Sequence, residues 1–374
     1  KERLRKLSDQ YYGSAADAFR KLIANMHIPA VPDNDIDDSL LRLAYLRCLS
    51  NTYLALSGSK AVETCLATLK GHTELVKSIT RLPDGRLASC SFDNTINVWD
   101  LTLPVEEQCV ATISGHNEPV HSVASLADGR LVSGSDDFTV KVWDLSRADD
   151  QKCVETLIGH FFWVNSVTSL ADGRLVSGSY DETIRVWDLG KPDGQKCVAT
   201  LRGHTNRVHF VRPLSDECLA SGSADQTIKV WDLRKPDGQQ CVATLNGHSD
   251  YVSSLAVFPD GRLVSGSFDK TVKVWDLGKP RGQECVATLK GHTGEVFSVI
   301  TLADGRLVSG SDDKTIKVWD LSKPDGQQCV ATLNGHVGGV KSLTELANGW
   351  LASGSNDKTI KLWELRRLQE AVRE

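Results

Sequence analysis

Histidine, serine and aspartate recur together along the chain in an order that could support acyl transfer. In the first occurrence, Ser89 follows His72 by 17 residues and Asp93 follows it by 21 residues. A serine activated by a histidine, which an aspartate orients, is the arrangement used by serine hydrolases. The set occurs seven times at one spacing, and no Gly-x-Ser-x-Gly sequence is present to carry a nucleophile. Because a catalytic site is needed only once, we expect these residues to stabilise the fold, and we assign no catalytic residue.

A tryptophan completes each of the seven sets, ten residues after the serine. The histidines are His72, His116, His160, His204, His248, His292 and His336. The serines are Ser89, Ser133, Ser177, Ser221, Ser265, Ser309 and Ser353. The aspartates are Asp93, Asp137, Asp181, Asp225, Asp269, Asp313 and Asp357. The tryptophans are Trp99, Trp143, Trp187, Trp231, Trp275, Trp319 and Trp363. If these four residues, which we call a tetrad, serve the fold, each repeated unit should contain one tetrad.

Two dipeptides with the same period indicate which elements hold the tetrads. The first is Gly-His, which recurs every 44 residues from Gly71-His72 to Gly335-His336. The second is Trp-Asp, which begins with Trp99-Asp100 and ends with Trp363-Glu364. Over residues 65 to 365 the chain therefore resembles the WD40-repeat family. The resemblance implies an all-β fold, a seven-bladed WD40 β-propeller with four strands in each blade.

The strands can also be recognised in the sequence of a single repeat. In the sixth repeat, residues 305–311 form a β-rich run, and residues 315–320 alternate between apolar and polar side chains. The stretch 323–326 reads Lys-Pro-Asp-Gly, which favours a turn, and residues 329–333 follow as a further strand. With the strand expected after each Gly-His, every repeat has four strands.

The resemblance also implies how the tetrads and the ring are built. In WD40 proteins the corresponding residues form a buried chain from the tryptophan N–H through the serine and the histidine to the aspartate. The last repeat ends at its third strand, while strand 65–69 precedes the first Gly-His without a partner. In the family such a strand completes the final blade, which removes open sheet edges. We therefore expect a propeller spanning residues 59–365, closed by strand 65–69.

The N-terminal segment 1–58 differs from the repeats. Apolar residues at helical spacing predict an amphipathic helix over residues 1 to about 26, and a second helix is expected from about 39 to 56. So short a segment cannot build a large core. We expect it to pack on the propeller, to self-associate, or to contact upstream sequence. Residues 366–374 are expected to form a C-terminal tail.

Composition restricts the classes of function. The formal net charge of −5 does not favour nucleic acid as a partner, and no apolar run predicts a membrane-spanning helix. Seven of the ten cysteines recur at one repeat position, from Cys65 to Cys329. We expect them to be reduced and buried, in an intracellular, cytoplasmic protein. No Cys-x-x-Cys or Cys/His cluster is present, so neither a metal site nor a cofactor is expected.

Positions at which the repeats differ are candidates for a selective function, because the shared positions already serve the fold. The loop after Gly-His reads Phe-Phe-Trp in repeat three, and this loop lies on the top rim in WD40 relatives. Exposed aromatic rings with an arginine are typical of a protein-interface hot spot. The predicted partner-binding residues are Phe161, Phe162, Trp163, Tyr180, Arg207, His209, Tyr251 and Phe268. The alternative is that some of these rings pack beneath a neighbouring loop.

A second candidate surface is basic. Five lysines at variable positions predict a basic arc for an acidic or phosphorylated peptide, unless they only solvate the surface. They are Lys77, Lys270, Lys314, Lys341 and Lys358. His121 and His209 follow the first valine of their strands and are expected to line the mouth of a central channel, the alternative being contact with a ligand.

These observations favour a non-catalytic scaffold or substrate-recognition module that binds a protein or peptide on its top rim. The alternative is a regulatory or targeting domain of a larger enzyme, kinase-like or ubiquitin-ligase-like, whose catalytic part lies upstream. A third interpretation is recent duplication or consensus design with little selected ligand, which the aromatic departures of repeat three oppose. The sequence leaves the oligomeric state open, because the helical segment could dimerise.

Overall fold

The computed structural model of the chain describes residues 65–148, 151–215, 217–346 and 349–365. The predicted N-terminal helical segment and C-terminal tail lie outside these residues. Within them, 28 β-strands form seven antiparallel sheets of four strands each. A 3-10 turn at Val105–Glu107 lies between the strands Ile96–Trp99 and Cys109–Ile113. The predicted seven-bladed propeller is therefore confirmed.

Each sheet is one blade, and we number the blades in the order of their Gly-His dipeptides. The innermost strands of blades one to seven are β2 (Val76–Arg81), β6 (Val120–Ser125), β10 (Val164–Ser169), β14 (Val208–Ser215), β18 (Val252–Val257), β22 (Val296–Thr301) and β26 (Val340–Glu345). The second strands are β3 (Leu87–Ser91), β7 (Leu131–Ser135), β11 (Leu175–Ser179), β15 (Cys218–Ser223), β19 (Leu263–Ser267), β23 (Leu307–Ser311) and β27 (Trp350–Ser355). The third strands are β4 (Ile96–Trp99), β8 (Val140–Trp143), β12 (Ile184–Trp187), β16 (Ile228–Asp232), β20 (Val272–Trp275), β24 (Ile316–Trp319) and β28 (Thr359–Glu364). The outermost strands are β5 (Cys109–Ile113), β9 (Cys153–Leu157), β13 (Cys197–Leu201), β17 (Cys241–Leu245), β21 (Cys285–Leu289), β25 (Cys329–Leu333) and β1 (Cys65–Lys70).

Blade seven is assembled from the two ends of the described chain. Its strand order is β1-β28-β27-β26, whereas every other blade consists of four consecutive strands. The register pairs Ala67 with Leu362. Lys361 Nζ donates to Thr68 Oγ1 at 2.8 Å, across 293 positions of sequence. Strand pairing between the ends therefore closes the ring.

The hydrophobic core lies between neighbouring blades. Between blades three and four, Val176 and Ile184 on one side pack with Val208 and Trp231 on the other, and all four are buried. The close approach depends on a glycine in the second strand, because a Cβ at Gly178 would lie 2.8 Å from Val208 Cγ1. That distance is too short for a packed methyl group. In six blades, the Ser-Gly-Ser sequence of the second strand thus sets how closely two blades approach, whereas blade one has Cys90 at the position of the glycine.

Serine hydroxyls join the inner strands of neighbouring blades. Ile79 N donates to Ser342 Oγ at 3.0 Å across the seam between blades seven and one. The equivalent bond, 3.1–3.5 Å long, is present at five further seams. Blade four has Phe210 at the position of this serine, so its seam with blade five lacks the hydroxyl. Blade four therefore differs from the other blades inside the fold as well as in sequence.

The recurring cysteines are not buried, and the expectation of buried thiols is wrong. Cys153, Cys285 and Cys329 are exposed, and the other four are half-buried. They begin the outermost strands, which have a neighbouring strand on one side only. The apolar residue that these strands bury is the leucine or isoleucine at the far end, such as Leu157 in β9. All the described cysteines are free thiols, as expected.

Candidate functional site

The seven tetrads are continuous chains of hydrogen-bonded side chains. In blade three, Trp187 Nε1 donates to Ser177 Oγ at 2.8 Å. Ser177 Oγ lies 2.7 Å from His160 Nε2, and His160 Nδ1 lies 2.7 Å from Asp181 Oδ2. Across the blades, the Trp–Ser and Ser–His distances are 2.7–2.8 Å. The His–Asp distances are 2.6–2.9 Å.

The tetrad serines are inaccessible to a substrate. All seven are fully buried. Each hydroxyl already accepts the tryptophan N–H and contacts the histidine, as the distances show. A nucleophilic serine must present its oxygen to a reacting carbonyl group. Burial therefore excludes hydrolysis at these seven positions.

In six of the seven blades, the aspartate anchors the top of the tetrad to two backbone segments. Asp181 Oδ1 accepts hydrogen bonds from Thr183 N at 3.0 Å and from Thr183 Oγ1 at 2.6 Å. Asp181 Oδ2 accepts a bond from Phe161 N at 3.1 Å. One carboxylate thus fixes both the loop after Gly-His and the turn between the second and third strands. These two segments form the face of the propeller that we call the top face.

The tetrad carboxylates predict sensitivity to acid. Burial raises the pKa of Asp137 and Asp313, but hydrogen bonds and the nearby histidines lower it to about 2 in each case. An unfolded aspartate has a pKa of about 3.9. A pKa depressed in the folded state gives stability that is present above about pH 4 and is lost as the pH falls toward 2. We expect the urea midpoint to drop steeply in that window, and a constant midpoint would contradict the assignment.

Backbone hydrogen bonds place aromatic residues side by side on the top face. Tyr180 N donates to Trp163 O at 2.9 Å in blade three, and Phe268 N donates to Tyr251 O at 2.9 Å in blade five. The ring centroids of these two pairs are 5.3 and 5.4 Å apart. The Arg207 guanidinium of blade four lies 4.8 Å from the centroid of the Tyr180 ring. The predicted arginine therefore joins the aromatic cluster through a cation–π contact.

Histidines of the inner strands connect the two aromatic pairs. The ring of His209 in β14 lies 5.3 Å from Tyr180 and 5.5 Å from Tyr251. The ring of His121 in β6 lies 6.1 Å from Trp163. Blades three, four and five thus share one continuous surface. We call it the aromatic rim, and it comprises Phe162, Trp163, Tyr180, Arg207, His209, Tyr251 and Phe268.

One predicted residue stands apart from the aromatic rim. Phe161 is 76% exposed and lies over Arg185, with the guanidinium carbon 5.9 Å from its ring centroid. Phe162 and Trp163 are 42% and 36% exposed, and their centroids are 5.4 Å apart. The structure therefore brings together seven of the eight predicted residues and directs Phe161 away from them.

Three aromatic residues of this surface are absent from the predicted set. Phe92 and Phe297 extend the surface to blades one and six, with centroids 4.9 Å from His121 and 5.5 Å from Phe268. Phe138 of blade two stacks on Phe162, with the ring centroids 5.8 Å apart. Phe92 and Phe297 occupy repeat positions at which the predicted set already has members. A comparison of all seven repeats at those positions would therefore have identified both residues from the sequence.

A central channel opens between the inner strands at the aromatic rim. It has a volume of about 400 Å³, and all seven blades line it. Its mouth is formed by the second residue of each inner strand, namely Lys77, His121, Asn165, His209, Ser253, Phe297 and Lys341. The two histidines expected at the channel therefore lie there, and their rings also contact the aromatic surface.

The five lysines of the expected basic arc fall into two groups. Three are exposed on turns of the top face, namely Lys270, Lys314 and Lys358. The other two are half-buried in the channel, namely Lys77 and Lys341. Carboxylates interrupt the positive charge: Lys358 Nζ lies 3.2 Å from Glu74 Oε1, and the charges of Asp312 and Glu295 act on Lys341. The five lysines therefore do not form one continuous arc.

The repeats, tetrads and ring closure define a propeller of the WD40 class. The sequence pattern described as "WD domain, G-beta repeat" matches seven segments of the chain, residues 63–100, 107–144, 151–188, 195–232, 239–276, 283–320 and 327–364. The chain therefore belongs to the WD40-repeat family.

Two known proteins show how far the similarity extends. The chain is similar to the structure described as "Crystal structure of WD40 beta propeller domain of Doa1", with 27% sequence identity and a TM-score of 0.71. That similarity covers 81% of this chain and 97% of the other. The chain is also 41% identical over 58 residues to "WD repeat-containing protein 75" of Mus musculus. This match spans 15% of the chain and only 7% of that protein.

Within the described residues, no group of three or more histidine, cysteine, aspartate or glutamate side chains is arranged to hold a metal ion. No helix in the same part of the chain is long and apolar enough to cross a membrane.

Proposed function

We propose that the chain is a non-catalytic binding platform that holds a protein or peptide partner on the aromatic rim. Membership of the WD40 family supports the general class, because such propellers commonly act as interaction scaffolds. The observation that carries the proposal is the cluster of Phe162, Trp163 and Tyr180 on the top face. Two of these rings are exposed, and Arg207 lies against the third. Aromatic residues with an arginine contribute most of the binding energy in many interfaces.

Hydrogen bonds fix the position of the backbone beneath the aromatic rim. Asp181 holds the loop through Phe161 N, and Trp163 O accepts a bond from Tyr180 N. Rings held in place before binding lose little conformational entropy when a partner arrives. A surface of this kind suits a partner that presents apolar or aromatic side chains. The free cysteines support a reducing compartment, and we propose the cytoplasm.

A quantitative pull-down from a host-cell lysate tests the proposal. The protein is compared with a variant carrying Phe162→Ala, Trp163→Ala and Tyr180→Ala, after both are shown to fold. We expect the recovery of specific partners to fall at least about tenfold in the variant, because hot-spot residues cost about 2 kcal/mol or more each when truncated.

A matched control removes three apolar side chains elsewhere. Val198→Ala, Val242→Ala and Val286→Ala change exposed valines on the outermost strands β13, β17 and β21. This variant is expected to recover the same partners as the unchanged protein. If the rim variant also recovers them undiminished, the aromatic rim is not the binding surface.

A further inference from the structure

The lining of the central channel carries an excess of positive charge. Lys77, Lys341 and Arg212 line it, and Glu345 is the carboxylate among the lining residues. Glu345 accepts a hydrogen bond from Ala303 N at 3.0 Å and so is engaged elsewhere. Among the described residues, none of the three cations forms an ion pair or a hydrogen bond. Lys77 and Lys341 are half-buried, whereas Arg212 is exposed. Cations partly withdrawn from bulk water are normally paired, so the two lysines are suited to an anion.

A buried histidine at the same level also lacks a partner. His209 is 8% exposed, and its Nε2 atom has no hydrogen-bond partner in the described part of the chain. Burial and the charge of Lys77 lower the pKa of His209 to about 3, so the ring is neutral at pH 7. A neutral imidazole can donate through Nε2–H. Because Nε2 has almost no accessible surface, His209 adds neither charge nor a reachable donor at the mouth, and the lysines must supply the binding groups.

We propose that the mouth of the channel binds an oxyanion, a carboxylate or phosphate group, between Lys77 and Lys341 on the adjoining blades one and seven. Ammonium groups suit the oxygen atoms of such a group. The volume of about 400 Å³ leaves room for the group and several water molecules. The site goes beyond the function proposed for the aromatic rim, because it needs no contact with the exposed rings.

A bound anion would also change the protonation of the Lys341 amine. Its ammonium nitrogen lies 3.1 Å from the centroid of the Phe297 ring. Burial and the charge of Lys77 lower the pKa of Lys341 to about 7, although Asp312 and Glu295 oppose the shift. A bound anion would offset the repulsion between the two lysines and favour the protonated amine. Binding is therefore best measured at pH 6.5, where most of Lys341 carries its proton.

Isothermal titration calorimetry at constant ionic strength tests the site on the full chain. Inorganic phosphate and O-phosphoserine are titrated separately. We expect saturable binding with one site per chain, weakened about tenfold or more in Lys77→Met and in Lys341→Met, because each variant loses a charge-assisted contact. Lys314→Met removes an exposed lysine outside the channel and is expected to bind as the unchanged protein does.

The outcomes show whether the anion is a free ion or part of a side chain. They also distinguish failure of this proposal from failure of the proposal for the aromatic rim. Tighter binding of O-phosphoserine indicates that the group arrives on a side chain, and tighter binding of phosphate indicates a free ion. Absence of saturable binding with both probes, or equal affinity in all the variants, overturns the site. If one lysine variant fails to fold, the other decides the result. Trp163→Ala is expected to bind phosphate normally, so failure of the rim proposal leaves this one standing.

Discussion

Replacing Asp181 by alanine is expected to lower the free energy of unfolding by about 3–5 kcal/mol. The carboxylate accepts bonds from His160, from Phe161 N and from both donors of Thr183. Removal leaves a buried histidine, two backbone N–H groups and the Thr183 hydroxyl without their acceptor. Because the same carboxylate fixes the loop that carries Phe162 and Trp163, we also expect partner binding to weaken.

Urea denaturation of the two proteins at pH 7 measures this effect. Asp172→Ala is the matched control, since Asp172 lies in the same blade and bonds Arg174 Nε at 2.6 Å, but on an exposed turn. Exposed ion pairs contribute about 1 kcal/mol or less, so the control should lose little stability. Equal losses in both variants would show that the buried tetrad has no special role.

Removal of strand β1 is expected to open the ring. A chain that begins at residue 71 lacks Leu69, which is buried against Ile360 and Leu362 in the core between blades seven and one. It also leaves β28 as an unpaired edge. Loss of one buried leucine alone costs about 2–5 kcal/mol. We therefore expect the melting temperature to fall by at least about 10 °C, with a broader transition and a tendency to aggregate.

The control for this truncation is a chain that begins at residue 61 and keeps β1. Circular dichroism on heating compares the two proteins. A peptide of residues 63–72, added to the shorter chain, should raise its melting temperature in a concentration-dependent way, because it binds the folded state. Equal melting temperatures of the two truncations would show that β1 is dispensable for closure.

The sequence predicts the number of blades and their strands because the residues that determine the ring recur at the same positions of every repeat. The two dipeptides and the tetrad residues recur with the same period. The strands can also be recognised within the sequence of each repeat. The structure adds the reason for the Ser-Gly-Ser sequence, since Gly178 makes room for Val208 of the next blade. That contact joins two blades and is invisible within one repeat.

The surface is predicted less completely, for two physical reasons. First, whether a side chain is buried depends on what covers its strand, and the repeat cysteines lie on the outermost strands, which pair on one side only within the described residues. Second, contacts around the channel join residues of different blades. Phe161 and Phe162 are adjacent in sequence, yet only Phe162 faces the aromatic rim. The lysines likewise occupy two repeat positions, one half-buried on the inner strands and one exposed on turns of the top face.

Site-specific photo-crosslinking shows whether a partner binds at the aromatic rim. A benzophenone amino acid is placed at Phe162 on the rim or at Val242 on the outer strand β17, and the protein is irradiated in cell lysate. We predict partner crosslinks from position 162 that Trp163→Ala abolishes, and none of those partners from position 242. Recovery of the same partners from position 242, or crosslinks from 162 that Trp163→Ala leaves unchanged, would contradict the account.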